Sequence, residues 1–219
     1  MKSPYAAIDL EAVIQSARAF VFDFDGTLVD SNEIKWRGFE VAFADFPDRL
    51  GEIMAYCRQW NHTHRSEKFR YVCERILGLS YTDGLSRVLH ERYAAATEHA
   101  VVSAPEIPGA MAFLRRVSNR YRTALVSSTP HEVLLAMLDR REMRSYFDDI
   151  RGAPVDKSAW LTRFRVMHSL AGEQVIFWGD TEEDEHAAQT AGCVFIGVAN
   201  VRLMGNAPRW IPDFRSVTA

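Results

Sequence analysis

The sequence predicts a doubly wound α/β core with a parallel sheet, interrupted by a helical insertion. Three observations lead there. Short apolar runs without polar alternation recur and stop at small or acidic polar residues: AFVFD ends in Asp23, TALVS in Ser127 and VIFWGD in Asp180. Helical patterns lie between these runs. Finally, roughly 95 residues separate the first run from the second, far beyond an ordinary connection.

Each element follows from its residues. AFVFD reads as a strand buried on both faces, because a half-exposed strand would alternate apolar with polar. The surplus after it, about Ser31 to Ala104, is helical in pattern. Phe69, Val72, Cys73 and Ile76 form one i, i+3, i+4, i+7 stripe, and LSRVLHERYAAATEHAVV is a second helical stretch. VDSN (Val29 to Asn32) is the outgoing linker and the proline-bearing SAPEIPG (Ser103 to Gly109) the return. The expected division is therefore a core of residues 1–30 and 105–219, with an inserted helical domain of residues 31–104.

After the insertion, PGAMAFLRRVSNR precedes the strand TALVS, and TPHEVLLAMLDRRE follows it. There Thr129 can cap, Pro130 suits the first helical position and Glu132 closes a capping box. KSAWLTRFRVMHSL leads into VIFWGD, and TEEDEHAAQTAG follows, stopping at Gly192. CVFIGV, Cys193 to Val198, is a fourth strand.

Hydrophobic residues make up 47% and charged residues 25%, as in a soluble enzyme. A net charge of -3 lacks the basic excess of a nucleic-acid binder. Cys57, Cys73 and Cys193 are scattered and read as reduced thiols. Asp9, Glu11 and Arg18 interrupt the first apolar stretches, so neither a signal peptide nor a membrane span is expected and the location is cytoplasmic.

In a doubly wound sheet, ligands bind beyond the carboxyl ends of the strands. If the strands are neighbours, Asp23, Ser127 and Asp180 meet at one edge. A strand-end carboxylate can be a nucleophile, and a second one two residues on, Asp25, a general acid and base. Asp180 and Asp184 make this mouth strongly anionic, which calls for a hard cation on oxygen ligands, and Mg²⁺ fits. A phosphate bridging that ion needs a hydroxyl, backbone N–H groups and a lysine. Only four of the 26 basic residues are lysines (Lys2, Lys35, Lys68, Lys157), and Lys157 alone follows Ser127. Asp184 has a second reading, since Thr181 to Asp184 is itself a capping arrangement.

FVFDFDGTLVDS resembles the first motif of the haloacid dehalogenase (HAD) superfamily of phosphohydrolases, in the subgroup with a helical cap inserted after the first strand. TALVSST resembles its second motif, Lys157 takes the third position and WGDTEEDEHAAQTAG resembles the fourth, over roughly residues 18 to 199. The resemblance implies a Rossmann-like core, Asp23 as nucleophile, Asp25 as acid/base and Ser127 as the phosphate-binding hydroxyl. It places metal ligands at Asp23, Asp25, Asp180 and Asp184, and substrate contacts at Gly26, Thr27 and Ser128. Thr27 is expected to hydrogen-bond the acid/base residue. The chain departs from many relatives in having Val155-Asp156-Lys157-Ser158 where they carry glycine-lysine-proline, and in the extra acids Glu182, Glu183 and Glu185.

RSEKFRY is similar to a cap segment of some relatives of phosphoglycolate phosphatase. Arg65 and Lys68 are therefore substrate-binding candidates; a polar helix face opposite Phe69 is the competing reading. His62 and His64 beside them read as a solvated loop.

The expected function is a Mg²⁺-dependent phosphatase that hydrolyses a small phosphorylated metabolite through an aspartyl-phosphate. A sugar-phosphate phosphomutase and a non-catalytic binding protein are the alternatives. A dehalogenase would lack Asp25, and a phosphonate hydrolase would need a Schiff-base lysine from the cap, for which Lys35 and Lys68 are the only candidates. The insertion is expected to hinge on its two linkers and close over the mouth.

Overall fold

The computed structural model describes residues 10–60, 63–199 and 209–217. In chain order the elements are α1 (Leu10–Ser16), β1 (Ala19–Phe22), α2 (Asn32–Ala42), α3 (Leu50–Gln59), α4 (Arg65–Tyr71), α5 (Asp83–Ser103), α6 (Ala110–Ser118), β2 (Arg122–Pro130), α7 (His131–Arg140), β3 (Asp149–Ala153), α8 (Lys157–Met167), β4 (Val175–Gly179), α9 (Glu182–Ala191), β5 (Val194–Val198) and β6 (Trp210–Ile211). They form two compact units, Met1–Asp30 with Pro105–Ala219, and Ser31–Ala104.

The first unit is α/β. Among the described residues it has six strands, all parallel, in the order β3-β2-β1-β4-β5-β6. β1 lies between β2 and β4, and every residue of it is buried. Both faces are covered. Val21 packs with Ala124, Trp160, Phe164 and Phe177 on one side. Phe20 and Phe22 turn to the other and meet Phe113 edge-on, at centroid distances of 5.8 and 6.2 Å. Period-two alternation still operates here; it sorts apolar side chains between two covered faces, which is why the run looks continuous.

The two edge strands, β3 and β6, escape the apolar-run criterion. β3 reads DIRGA, with Asp149 and Arg151 only partly buried, as suits a strand paired on one side. β2 also differs from expectation. It runs past Ser127 to Pro130, with an irregular register against β3 between Val126 and Pro130. Pro130 is consequently the cap position of α7, which has no side-chain cap, and Thr129 is not a capping residue. By contrast, α9 has the expected box: Asp184 N donates to Thr181 Oγ1 at 3.2 Å, and Gly192 closes the helix at φ 69°.

The segments on either side of the insertion are tied together within this unit. Asp30 N donates to Pro105 O at 2.9 Å, and Ile107 N to Leu28 O at 3.0 Å. The C-terminal residues add a strap. Phe214 N donates to Pro108 O, and its ring lies 5.3 Å from Phe113 and 5.2 Å from Trp178.

The second unit is helical. Phe39, Phe43, Ile53, Phe69, Val72, Cys73, Ile76, Leu89 and Tyr93 form its core, so the Phe69 stripe is buried throughout. α4 ends in one π-helical turn, Val72–Ile76. α2 crosses α5 closely: a Cβ on Gly38 would stand 2.5 Å from Thr97 Cγ2. Lys68 does not lie on a solvated polar face, the competing reading of this helix. It is 3% exposed, with Nζ 5.2 Å from the Phe39 centroid and 5.4 Å from that of Trp36.

Cys57 and Cys73 are buried and Cys193 is half-buried; burial pushes each thiol up to about 11. Among the described residues no helix is long and apolar enough to cross a membrane.

Because Phe214 fills a fully packed aromatic site, Phe214→Ala is expected to cost about 3–5 kcal/mol in urea unfolding. A loss below about 1 kcal/mol would show that the strap is not part of the core.

Candidate active site

The site is built at the carboxyl end of the sheet. Register pairs Phe22 with Leu125 on one side and Trp178 on the other. Asp23 follows β1, and Ser127 and Asp180 stand one step further along β2 and β4. The backbone fixes Asp23 by donating its N–H to Trp178 O at 2.8 Å. The chain then folds sharply. Gly26 has φ 80°, a conformation open to glycine, and Leu28 N and Val29 N both return to Phe24 O.

Asp23, Asp25, Asp180 and Asp184 are all buried. Asp23, Asp180 and Asp184 each offer an oxygen within 4.8 Å of the other two. Like charges this close repel strongly in a weakly polar interior. Lys157 is the counter-charge: its Nζ lies 3.2 Å from Asp23 Oδ1 and 2.7 Å from Asp184 Oδ1. Burial alone would lower the Lys157 pKa; the Asp184 and Asp23 carboxylates outweigh it, and the net shift is upward. Lys157 is placed by the start of α8, where Asp156 Oδ1 accepts from Ala159 N at 3.0 Å.

Asp184 makes the capping contact and also stands in the acidic group. Oδ2 accepts from Thr181 N at 3.2 Å and Thr181 Oγ1 at 2.6 Å, which closes the capping box; Oδ1 faces Lys157. One carboxylate thus caps α9 and joins the acidic group. The approach requires Gly179, where a Cβ would fall 2.4 Å from Asp184 Cβ. Gly179 is a site residue that the sequence pattern does not single out, although its place just before Asp180 is a signal of close packing.

One ammonium among three carboxylates leaves the cluster net negative. Its donors are all oxygen, so the residues present fit a hard divalent cation. Asp25 lies outside this trio. Its Oδ2 accepts from Thr129 Oγ1 at 2.8 Å. The sequence pattern points to Thr27 for that bond, but Thr27 Oγ1 is buried with no hydrogen-bond partner among the described residues. Thr129, read from sequence as a cap, is the hydroxyl that reaches Asp25. Ser127 is buried, and its Oγ accepts from Thr129 N at 3.2 Å; Ser128 is exposed.

In the helical unit, Arg65 is half-buried with its guanidinium 4.5 Å over the Tyr93 ring. His64 is exposed at the start of α4, and His62 lies outside the described residues.

Comparison with known proteins follows the same line. The family model for haloacid dehalogenase-like hydrolases matches residues 20–198. A phosphoglycolate phosphatase from Aliivibrio fischeri is 22% identical over 195 residues, covering 83% of both chains. A crystal structure of a predicted phosphoglycolate phosphatase from Haemophilus somnus superposes with a TM-score of 0.71 at 18% identity, over 91% of this chain and 95% of the other. CbbY from Rhodobacter sphaeroides, a variant solved with xylulose-(1,5)bisphosphate, gives a TM-score of 0.69 at 18% identity, over 91% and 96%. With motifs, sheet order and family match in agreement, the chain belongs to the haloacid dehalogenase-like hydrolases and is similar, within them, to the phosphoglycolate phosphatases.

Proposed function

We propose that the protein is a Mg²⁺-dependent phosphatase that hydrolyses a small phosphorylated metabolite through an aspartyl-phosphate on Asp23. The observation that supports this best is the buried trio Asp23, Asp180 and Asp184 at the strand ends, with Lys157 paired to Asp23 and Asp184. Its relatives are phosphatases by name, and CbbY was solved with a sugar bisphosphate.

Asp23, Asp180 and Asp184 would hold the ion, with Asp25 contributing at the same mouth. When bound, Mg²⁺ offsets charge on the phosphoryl oxygens. The chain's own residues perform the steps. A carboxylate oxygen of Asp23 attacks phosphorus in line, and the bond to the leaving oxygen breaks. Asp25 gives its proton to that oxygen, then takes one from the water that attacks the aspartyl-phosphate, releasing inorganic phosphate and restoring Asp23. Ser127 accepts from Thr129 N, which leaves its own hydroxyl proton for a phosphoryl oxygen. Backbone N–H groups at Thr27 and Ser128 supply further donors, while that of Gly26 is spent within the turn on Val29 O at 2.7 Å. Lys157 keeps Asp23 oriented and limits repulsion as the dianionic phosphate enters.

Residues 31–104 are the cap in this proposal, and specificity resides there. Arg65 and Lys68 supply its cations. Aromatic cover keeps Lys68 desolvated, which strengthens its attraction to an anionic group.

The test is turnover of p-nitrophenyl phosphate with Mg²⁺ and with EDTA, then with Asp23→Asn. Activity is expected only with the ion, and the variant should retain below about 1% of it, since an amide cannot form the acyl-phosphate. A well-folded Asp23→Asn protein with several per cent of wild-type activity would overturn the nucleophile assignment.

Lys157→Met should destabilise the apo protein by about 3–5 kcal/mol, because it strips the counter-charge from a buried pair. Mg²⁺ should then raise its melting temperature more than that of the wild type. Equal shifts in both proteins would show that ion and ammonium do not share one charge cluster.

A further inference from the structure

We propose that Thr129 is the positioning residue for the acid/base carboxylate, and that it decides which oxygen of Asp25 delivers the proton. This inference rests on the phosphatase reading above. The Asp25 side chain sits beside the turn at Gly26, and a carboxylate on a single χ2 torsion has a broad rotational range. Thr27 does not restrain it, as its Oγ1 has no partner among the described residues. Thr129 does, through Oγ1 to Oδ2 at 2.8 Å, across 104 positions of sequence.

Thr129 is itself held in place. Its N–H donates to Ser127 Oγ at 3.2 Å, and its carbonyl lies where a Cβ on Gly152 would stand only 2.6 Å away. Gly152 N donates to His131 Nδ1 at 3.1 Å, closing the end of β2 onto β3. The register irregularity between Val126 and Pro130 falls on this stretch. Irregularities of that kind re-aim side chains beside active sites. Here it leaves Ser127 buried at the mouth and turns Thr129 to Asp25.

A hydroxyl that donates to Oδ2 requires that oxygen to remain an acceptor. The proton that Asp25 carries as an acid is thereby directed to Oδ1, and the leaving oxygen receives it from there as its bond to phosphorus breaks. Without Thr129, Oδ2 loses this donor and the bond that directs the proton to Oδ1 is gone. Transfer then suffers most for leaving groups that need the acid.

The experiment compares Thr129→Val, Thr129→Ala and Thr129→Ser on an alkyl phosphate and on p-nitrophenyl phosphate. kcat/KM is the readout, because it reports transfer to Asp23 and not the later breakdown. General acid help is worth ~10²–10⁴-fold in all, so loss of orientation should lower the alkyl phosphate rate by about 10–100-fold. p-Nitrophenyl phosphate should lose less than about threefold, its leaving group needing the acid least. Thr129→Ser should restore both rates. Melting temperatures identify any variant that fails to fold, and of Val and Ala the one that melts like wild type is read. Equal losses on both substrates, no loss on either, or a serine variant no better than valine would overturn the assignment while leaving the phosphatase reading intact. A wild type inactive on every monoester would overturn both.

Discussion

Three buried carboxylates, two of them paired with one ammonium, form the interaction on which the rest of the site depends. Asp23, Asp180 and Asp184 come from the ends of β1 and β4 and the first turn of α9, and Lys157 from the start of α8. Nothing local favours this group, since each carboxylate is removed from water and placed against its like. The sheet supplies the compensation. Parallel register aligns the strand ends, Asp23 is fixed through Trp178 O, and Lys157 spans Asp23 and Asp184. A residual negative charge is left over, and in the proposed function that charge is what attracts a cation and, through it, a phosphate.

Close backbone approach is the second requirement. Gly179 lets α9 press Asp184 into the cluster, and Gly152 lets β3 lie against the end of β2. Both glycines act by having no side chain. Each connects the sheet to one carboxylate of the candidate site, Gly179 directly to Asp184 and Gly152 through Thr129 to Asp25.

The interior strands were legible in the sequence because both faces of each are covered and their residues run apolar without interruption. β3 and β6 were not, because an edge strand is paired on one side only and Asp149 and Arg151 can remain partly exposed. The meeting of Asp23, Asp180 and Lys157 and the capping contact of Asp184 could be read from strand ends, a scarce lysine and a capping pattern. Thr129 could not. Thr-Pro-His-Glu is a good capping pattern locally, and only the extension of β2 to Pro130 and the arrival of Asp25 from a distant segment give the hydroxyl its other partner. The cover over Lys68 was hidden for a similar reason: its helix looks amphipathic alone, and only Trp36 and Phe39 on α2 take the ammonium out of a solvated polar face.

The central claim is that the carboxylate trio binds a divalent cation and is the electrostatic basis of the chemistry. The most direct measurement is titration calorimetry of Mg²⁺ into the metal-free protein and its Asp180→Asn variant, which keeps both Lys157 ion pairs. The account predicts one ion bound per chain in the wild type, with affinity weakened by more than about tenfold (about 1.4 kcal/mol) in the variant. Absence of binding to the wild type, or an unchanged affinity in Asp180→Asn, would contradict it.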